Sequence, residues 1–417
     1  MNAVGLIVEY NPFHNGHLHH LQQSKQIAQR DAVVAVMSGN FLQRGEPALL
    51  DKWTRTKMAL QGGCDLVIEL PVAYATSSAE WFAHGSIALL QATGVVDSFC
   101  FGTESGQLTP LLQAAKLVSE ESPQFKQQLE SYLNLGLSYP QAYSSALTQL
   151  YDQSSAEDHL NKEERFRFDL PNHTLGLHYL IARQRIGSAM TPYTITREKA
   201  QYNDELPTDL AIASATAIRK LLLEHSSLDV IKSYVPSSTY QLLIAQQQQG
   251  ITPMHWENFA TPLFHTLAVS SSENLATYRE IEEGLQHRIK YCLRSLPQYT
   301  LDQLLLQLKT KRYTKTKLQR ALLAILLQHQ KHHFQREQLA NGIQYIRVLG
   351  FTERGQALLK QMKKTATLPI IHTPAAIAKP STYLELDIAA TAAYMLARSP
   401  EHPELSLLDY TQSPIRI

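Results

Sequence analysis

Within the first 105 residues the hydrophobic side chains follow two patterns by turns, and that alternation leaves few folds open. "AVGLIVEY" (3–10), "AVVAVMSG" (32–39), "DLVIELP" (65–71) and "DSFCFGTES" (97–105) are short, largely apolar runs. Runs of this kind read as strands buried on both faces. Between them "GHLHHLQQSKQIAQR" (16–30), "DKWTRTKMALQGG" (51–63) and "SSAEWFAHGSIALLQATG" (77–94) carry helical spacing, the last two closed by Gly. Parallel neighbours need a crossover, so strands alternating with helices predict an α/β fold built on a doubly wound parallel sheet. "TPYTITRE" (191–198) reads as a fifth strand, after a helical insertion near 107–186.

The pattern changes past residue 225. "QLLIAQQQQG" (241–250) reads as a Gly-stopped helix, and helical, Leu- and Gln-rich spacing runs on to about 335. "YIRVLG" and "FTERGQALLKQMKK" (345–364) then read as a short strand and a helix. We expect a domain boundary near residue 235, with an α/β domain over 1–235 and a mainly helical C-terminal domain over 236–417. A net charge of +1 over 417 residues points to no global nucleic-acid electrostatics, so any such site must be a local patch. Cys64, Cys100 and Cys292 are few and far apart, which excludes a disulfide framework or a zinc spacing and fits a reducing, cytoplasmic setting. The opening residues carry no basic leader pattern, and apolar runs such as "LLAILL" (322–327) are too short to span a bilayer.

Chemistry concentrates in "VEYNPFHNGHLHH" (8–20). In an open parallel sheet, ligands bind outside the carboxyl ends of the strands, and this stretch follows the first strand. It lacks the G-x-G-x-x-G of a dinucleotide site. Instead Pro12 fixes a turn, and His14-Asn15-Gly16-His17 opens a helix. Gly16 lets backbone approach a ligand, and the helix N-terminus offers free N–H groups and its dipole. Two imidazoles and a helix N-terminus make a phosphate-binding corner. Four histidines in seven residues also suggest a metal, but no Cys or carboxylate set completes a shell, so no metal site is expected. His19 and His20 read as helix-surface positions. Downstream, "IASATAIRKLL" (212–222) offers Ser214 and Thr216 as helix caps and phosphate donors, with Arg219 as a guanidinium fork.

H-x-G-H after a first strand resembles the signature of the HIGH nucleotidyltransferase superfamily. The likeness narrows when further stretches are read in order: "MSGNFLQRGEPALLDKWTRTKMAL", "GCDLVIELP", "FGTES", "PNHTLGLHYL", "ITREKAQYND", "KTKRYTKTKLQR" and "RVLGFTERG". Together they resemble the bacterial tRNA(Met) cytidine acetate ligase family over roughly residues 3–355. The resemblance implies an ATP-dependent reaction. Acetate attacks the α-phosphate of ATP, giving acetyl-adenylate and pyrophosphate, and the acetyl group then passes to N4 of the wobble cytidine of elongator tRNA(Met). It further implies His14 and His17 as catalytic residues. The implied ATP cradle runs through Ile7, Val8, Glu9, Tyr10, Asn11, Pro12, Phe13, His14, Asn15, Gly16, His17, Leu18, His19 and His20, with Gly102, Asn172, Arg197, Ser214, Thr216 and Arg219. Magnesium is expected with ATP, although no acidic motif fixes it. Glu104 is expected to be structural, and Arg197 faces either the phosphates or an ion pair with Glu198 or Asp204.

Two further clusters are basic. Arg44, Lys52, Arg55 and Lys57 line the acetate and tRNA entrance or else form a solvated helix face. Lys309, Lys311, Arg312, Lys315, Lys317 and Arg320, with Tyr313 among them and Arg288 and Lys290 nearby, form a local patch without an acid. Such a patch gives RNA affinity rather than sequence choice. The resemblance points it at tRNA, with no role for DNA or membrane. Two other readings remain open: an adenylyltransferase acting on a small cofactor precursor, and an RNA-binding protein with a degenerate nucleotide pocket.

Overall fold

A computed structural model describes residues 2–119, 122–154, 166–197, 213–225 and 227–417. The alternating half folds as β1 (Ala3–Val8), α1 (Asn15–Ala28), β2 (Ala32–Ser38), α2 (Lys52–Gln61), β3 (Leu66–Leu70), α3 (Val72–Ala75), α4 (Ala79–Ala92) and β4 (Val96–Thr103). The expected insertion supplies α5 (Thr109–Val118), α6 (Pro123–Asn134), α7 (Tyr139–Ser154) and α8 (Pro171–Ile186), followed by β5 (Thr191–Thr196) and α9 (Ala215–Glu224).

The sheet runs in the order β5-β4-β1-β2-β3, all parallel. The chain moves outward from β1 to β2 and β3, then returns on the other side of β1 with β4. That reversal opens the crevice at the carboxyl ends of β1 and β4. β1 and β2 are apolar and almost wholly buried because both faces are covered. Ala32, Val34 and Val36 enter one core beside Phe82, Leu90 and Leu180, while Val33, Ala35 and Met37 enter the other beside Leu21 and Ala217. Alternate side chains point to opposite faces, so one unbroken run feeds two cores.

The later chain holds α10 (Ser237–Gln248), α11 (Ala260–Val269), α12 (Ser272–Ala276), α13 (Leu285–Leu293), α14 (Leu301–Leu308), α15 (Lys315–Leu326) and α16 (Arg336–Ala340). Much of this region closes on its own core of Leu263, Ile289, Leu304 and Leu322. It then rejoins the sheet through β6 (Ile346–Phe351), α17 (Glu353–Thr365) and β7 (Ile370–Ile371), and the chain ends in α18 (Thr382–Arg398), α19 (Leu408–Thr411) and β8 (Ile415–Arg416). β6 pairs antiparallel with β3, and β7 and β8 flank β6 in parallel. The sheet therefore draws strands from both sides of the boundary expected near residue 235. Among the described residues no helix is long and apolar enough to cross a membrane.

A buried ionic cluster fastens this return. Lys52 Nζ, on fully buried Lys52, donates to Glu69 on β3 (2.8 Å) and to Asp409 on α19 (2.8 Å), and Arg347 on β6 lies 3.3 Å from the same aspartate. This corrects the entrance role weighed for Lys52. With Lys52 replaced by Met, Glu69 and Asp409 stay buried without their shared cation. Urea unfolding is expected to show a loss of about 3–5 kcal/mol at unchanged m-value.

Candidate active site

Past β1 the chain turns sharply. Tyr10 takes φ +47°, and its buried ring packs edge-on against Phe13 (4.7 Å) and His17 (5.0 Å). The Asn11–Pro12 bond is cis. Buried Asn11 accepts from the Leu49 N–H at Oδ1 (2.7 Å), and its carbonyl accepts from Arg219 Nη1 (3.0 Å). Phe13 lies over Gly62, where a Cβ would sit 2.4 Å from its ring. Tyr10, Asn11, Pro12 and Phe13 thus build the turn from beneath.

α1 is capped by histidine. His14 Nδ1 accepts from the Gly16 N–H (3.0 Å), and His17 Nδ1 accepts from the His14 N–H (3.4 Å). This is a capping box made of two imidazoles, whose rings lie 3.8 Å apart. With His14 Nδ1 an acceptor, the proton of the neutral ring sits on Nε2. Gly16 has a more specific job than expected: a Cβ there would lie 2.9 Å from His14 Cε1, so the glycine makes room for the ring that caps it.

His14, Gly16 and His17 open onto a cavity of about 220 Å³ at the sheet's carboxyl edge. Ile7, Val8, Glu9, His19 and His20 line it too. His20 Nε2 is buried with no partner among the described residues, so His20 belongs to the site rather than to an outer helix face, and His19 joins it. On the far wall, Arg197 Nη1 donates to Asn172 Oδ1 (3.2 Å). Asn172 is itself held by Glu104, which accepts from its N–H (2.9 Å) and Nδ2 (2.8 Å) and from the His173 N–H (3.0 Å). Glu104 is thus a structural acceptor at the N-terminus of α8, as expected. A Cβ at Gly102 would come within 3.2 Å of Arg197 Cγ, so this glycine admits the arginine stem. Glu198 and Asp204, the alternative partners of Arg197, lie outside the described residues.

Ser214 caps α9 by accepting from the Ala217 N–H (3.0 Å) and lines the cavity. Thr216 and Arg219 reach the same corner but not the cavity wall: Thr216 Oγ1 accepts from Arg219 Nη2 (3.3 Å), and Arg219 holds the turn at Asn11. Asn15 is likewise outside the lining, its side chain donating to the Ser233 carbonyl (2.9 Å), as is half-buried Leu18.

Burial, followed by the Arg197 and Arg219 guanidinium groups, pushes His14 down to about 3. Burial, then His14 and Arg197, likewise lowers His17, and burial with Arg197 takes His20 to about 4. The corner therefore presents neutral imidazoles within an arginine field.

A family model described as HIGH Nucleotidyl Transferase matches residues 1–406. The tRNA(Met) cytidine acetate ligase of Bacillus velezensis is 41% identical over 419 residues, covering 100% of this chain and 97% of that protein. The chain belongs to the tRNA(Met) cytidine acetate ligase family. The member from Lysinibacillus sphaericus is 40% identical with 100% of both chains covered. A crystal structure of Thermotoga maritima TmcAL in the apo state aligns with TM-score 0.91 at 33% identity over 100% of both chains. Another, bound with alpha-thio ATP, aligns at 0.89 and 32% identity, covering 100% of this chain and 99% of the other.

Several residues that sequence reasoning passed over complete this family member's cavity: Gln43, Phe82, Phe101, Leu175, Tyr179, Ile195, Thr196 and Ala213. Phe101, Ile195, Thr196 and Ala213 adjoin Gly102, Arg197 and Ser214 in sequence, which is a usable signal. Phe82 and Tyr179 stand on helix faces that look like ordinary core. Arg55 is a correction. It is fully buried, and it donates to the carbonyls of Glu9 (2.6 Å), Ser38 (3.1 Å), Gly39 and Leu50 (3.0 Å), so it pins the ends of β1 and β2 rather than lining an entrance. Of the entrance cluster, Lys57 is exposed.

The basic patch is less open than its sequence. Lys309, Lys311, Arg312 and Lys315 are exposed, but the fold brings up acids that the segment lacks. Arg320 pairs with Glu280 (2.9 Å), Lys317 approaches Glu282 (3.8 Å) and Arg312 approaches Glu283 (3.8 Å). Tyr313 is buried, its hydroxyl donating to the Glu283 carbonyl (2.7 Å). Arg288 and Lys290 donate to carbonyls at the ends of α14 and α11.

The neutral histidines carry a pH signature. In the unfolded chain a histidine takes up a proton near pH 6.5, whereas His14 and buried His329, both held near 3, do not in the folded state. Their stabilisation is complete above pH 6.5 and is lost as pH falls from there toward 3. Thermal unfolding between pH 7.5 and 5.5 is expected to show falling stability, at about 1.4 kcal/mol per histidine for each pH unit below 6.5.

Proposed function

We infer that this chain is an ATP-dependent ligase that makes acetyl-adenylate from acetate and ATP and passes the acetyl group to N4 of the wobble cytidine of elongator tRNA(Met), giving N4-acetylcytidine. The observation that carries this reading is the histidine-capped start of α1 opposite Arg197 across one cavity at the sheet's carboxyl edge. The named relatives span the whole chain, helical part included, which a cofactor-precursor adenylyltransferase does not require.

The obstacle in the first step is charge. Acetate must approach a polyanionic triphosphate, and two unit charges ~4 Å apart at an effective dielectric of ~20 repel by ~4 kcal/mol. Arg197, oriented through Asn172 and Glu104, supplies a fixed cation. His14 gives an Nε2–H donor that needs no reorientation, because Gly16 already occupies its other nitrogen. The unpartnered Nε2 of His20 awaits a ligand group. An acetate oxygen attacks the α-phosphorus, the bond to the β-phosphate oxygen breaks, and pyrophosphate leaves toward Ser214 at the start of α9. His17 adds a donor beside His14. Thr216 and Arg219 act by holding the Asn11 turn that presents the histidines. Magnesium is expected as a companion of the triphosphate, bridging its phosphate oxygens while keeping several waters. The tRNA is held in part by Lys309, Lys311, Arg312 and Lys315, with Lys317 and Arg320 restrained by their glutamates.

Acetate-dependent ATP–pyrophosphate exchange tests the first step. His17→Ala is expected to lower exchange by about 10²–10³-fold while tRNA still binds. Exchange at the wild-type rate would remove His17 from the chemistry. Changing Lys311 and Arg312 together to Ala is expected to weaken tRNA binding and to flatten the slope of log K against log salt by roughly one per lost phosphate contact. A filter-binding salt series reads both.

A further inference from the structure

A carboxylate is an expensive neighbour for a polyanion, yet Glu9 stands in the cavity wall, one residue past β1 and partly open to it. Its Oε1 accepts from the backbone N–H of Gln43 (2.8 Å), and Gln43 Nε2 is in turn tied to the Ser77 carbonyl (3.0 Å). Among the described residues Oε2 has no hydrogen-bond partner, and no cation pairs with Glu9 within 4 Å. The charged groups that face it are Arg219 on α9, Glu46 and Arg44 on the loop after β2, and Arg55 on α2, which grips its carbonyl. One oxygen is anchored and the other is left for the cavity. A purely structural acceptor would use both, as Glu104 does.

We propose that Glu9 is the general base of the acetyl-transfer step, a role that rests on the function inferred above. The cytidine amino nitrogen attacks the carbonyl carbon of acetyl-adenylate and forms the new C–N bond. The carbonyl C–O bond to the adenylate phosphate breaks, and AMP leaves with that electron pair. Glu9 Oε2 takes the surplus proton from the nitrogen and releases it to water. Without that transfer the tetrahedral adduct would carry a protonated amine, a far better leaving group than AMP, and would revert to acetyl-adenylate. Burial raises the Glu9 carboxyl above its ordinary range, toward the pH at which a general base is most effective.

The test compares the two half-reactions on the full-length protein: acetate-dependent ATP–pyrophosphate exchange, and single-turnover transfer to elongator tRNA(Met) from chemically prepared acetyl-adenylate. Glu9→Gln keeps the shape and the acceptor for Gln43 but cannot take a proton. Transfer is expected to fall by about 10²-fold or more, against a fall of less than about tenfold in exchange. The rise of the wild-type transfer rate with pH should be absent in E9Q and partly restored, at a displaced midpoint, in Glu9→Asp. Transfer near the wild-type rate in E9Q, or an equal fall in both half-reactions, overturns the proposal. If E9Q fails to fold, the displaced midpoint of E9D decides the same question, and an unmoved one overturns it. Wild-type protein with no acetate-dependent exchange would instead overturn the inferred function and this role with it.

Discussion

The site rests on an unusual helix cap. An N-cap side chain usually serves its helix alone, satisfying one of the orphan N–H groups. Here the cap is His14, returned by His17, and both rings also face the cavity. One hydrogen bond therefore stabilises α1 and leaves the His14 Nε2–H facing where a phosphate can sit. The cost is desolvation. Burial beside Arg197 and Arg219 keeps His14 uncharged, so it acts as a fixed dipole until an anionic ligand arrives.

That cap works only if the turn before it is rigid, and the rigidity comes from far along the chain. Arg219 and Leu49 hold Asn11, while Arg55 ties the carbonyl ends of β1 and β2 to the loop before α2. Arg55 lies on the same helix as Lys52, whose ammonium is locked to Glu69 and Asp409. The last strands and helices of the chain are thus coupled, through one buried ionic cluster, to the helix whose Arg55 ties the ends of β1 and β2.

Much of this was legible from residue order. The first strands follow from short unbroken apolar runs and the helices between them from period-3.6 spacing, and His14, Gly16, His17 and Ser214 announce themselves by standing where a strand hands over to a helix. Other parts were not. His20 lies one turn beyond His17 on α1, and only the packing of Gly102 and Arg197 beside it shows that its face is inward. Phe82 and Tyr179 resemble core positions because they are apolar on helices. The glutamates that restrain the basic patch lie well upstream, at 280–283, so a charge count over 309–320 misses them.

Residue order by itself determined the strand–helix alternation, the two-faced burial of the strands and the chemistry at the carboxyl end of β1, because each depends on neighbours within a few residues. Tertiary structure decided where Arg55 and Lys52 spend their charges, that β6 completes the sheet antiparallel to β3, and that Glu9 keeps one oxygen open. These depend on partners as much as 357 residues away. No local pattern encodes a contact whose partner is chosen by how the sheet closes.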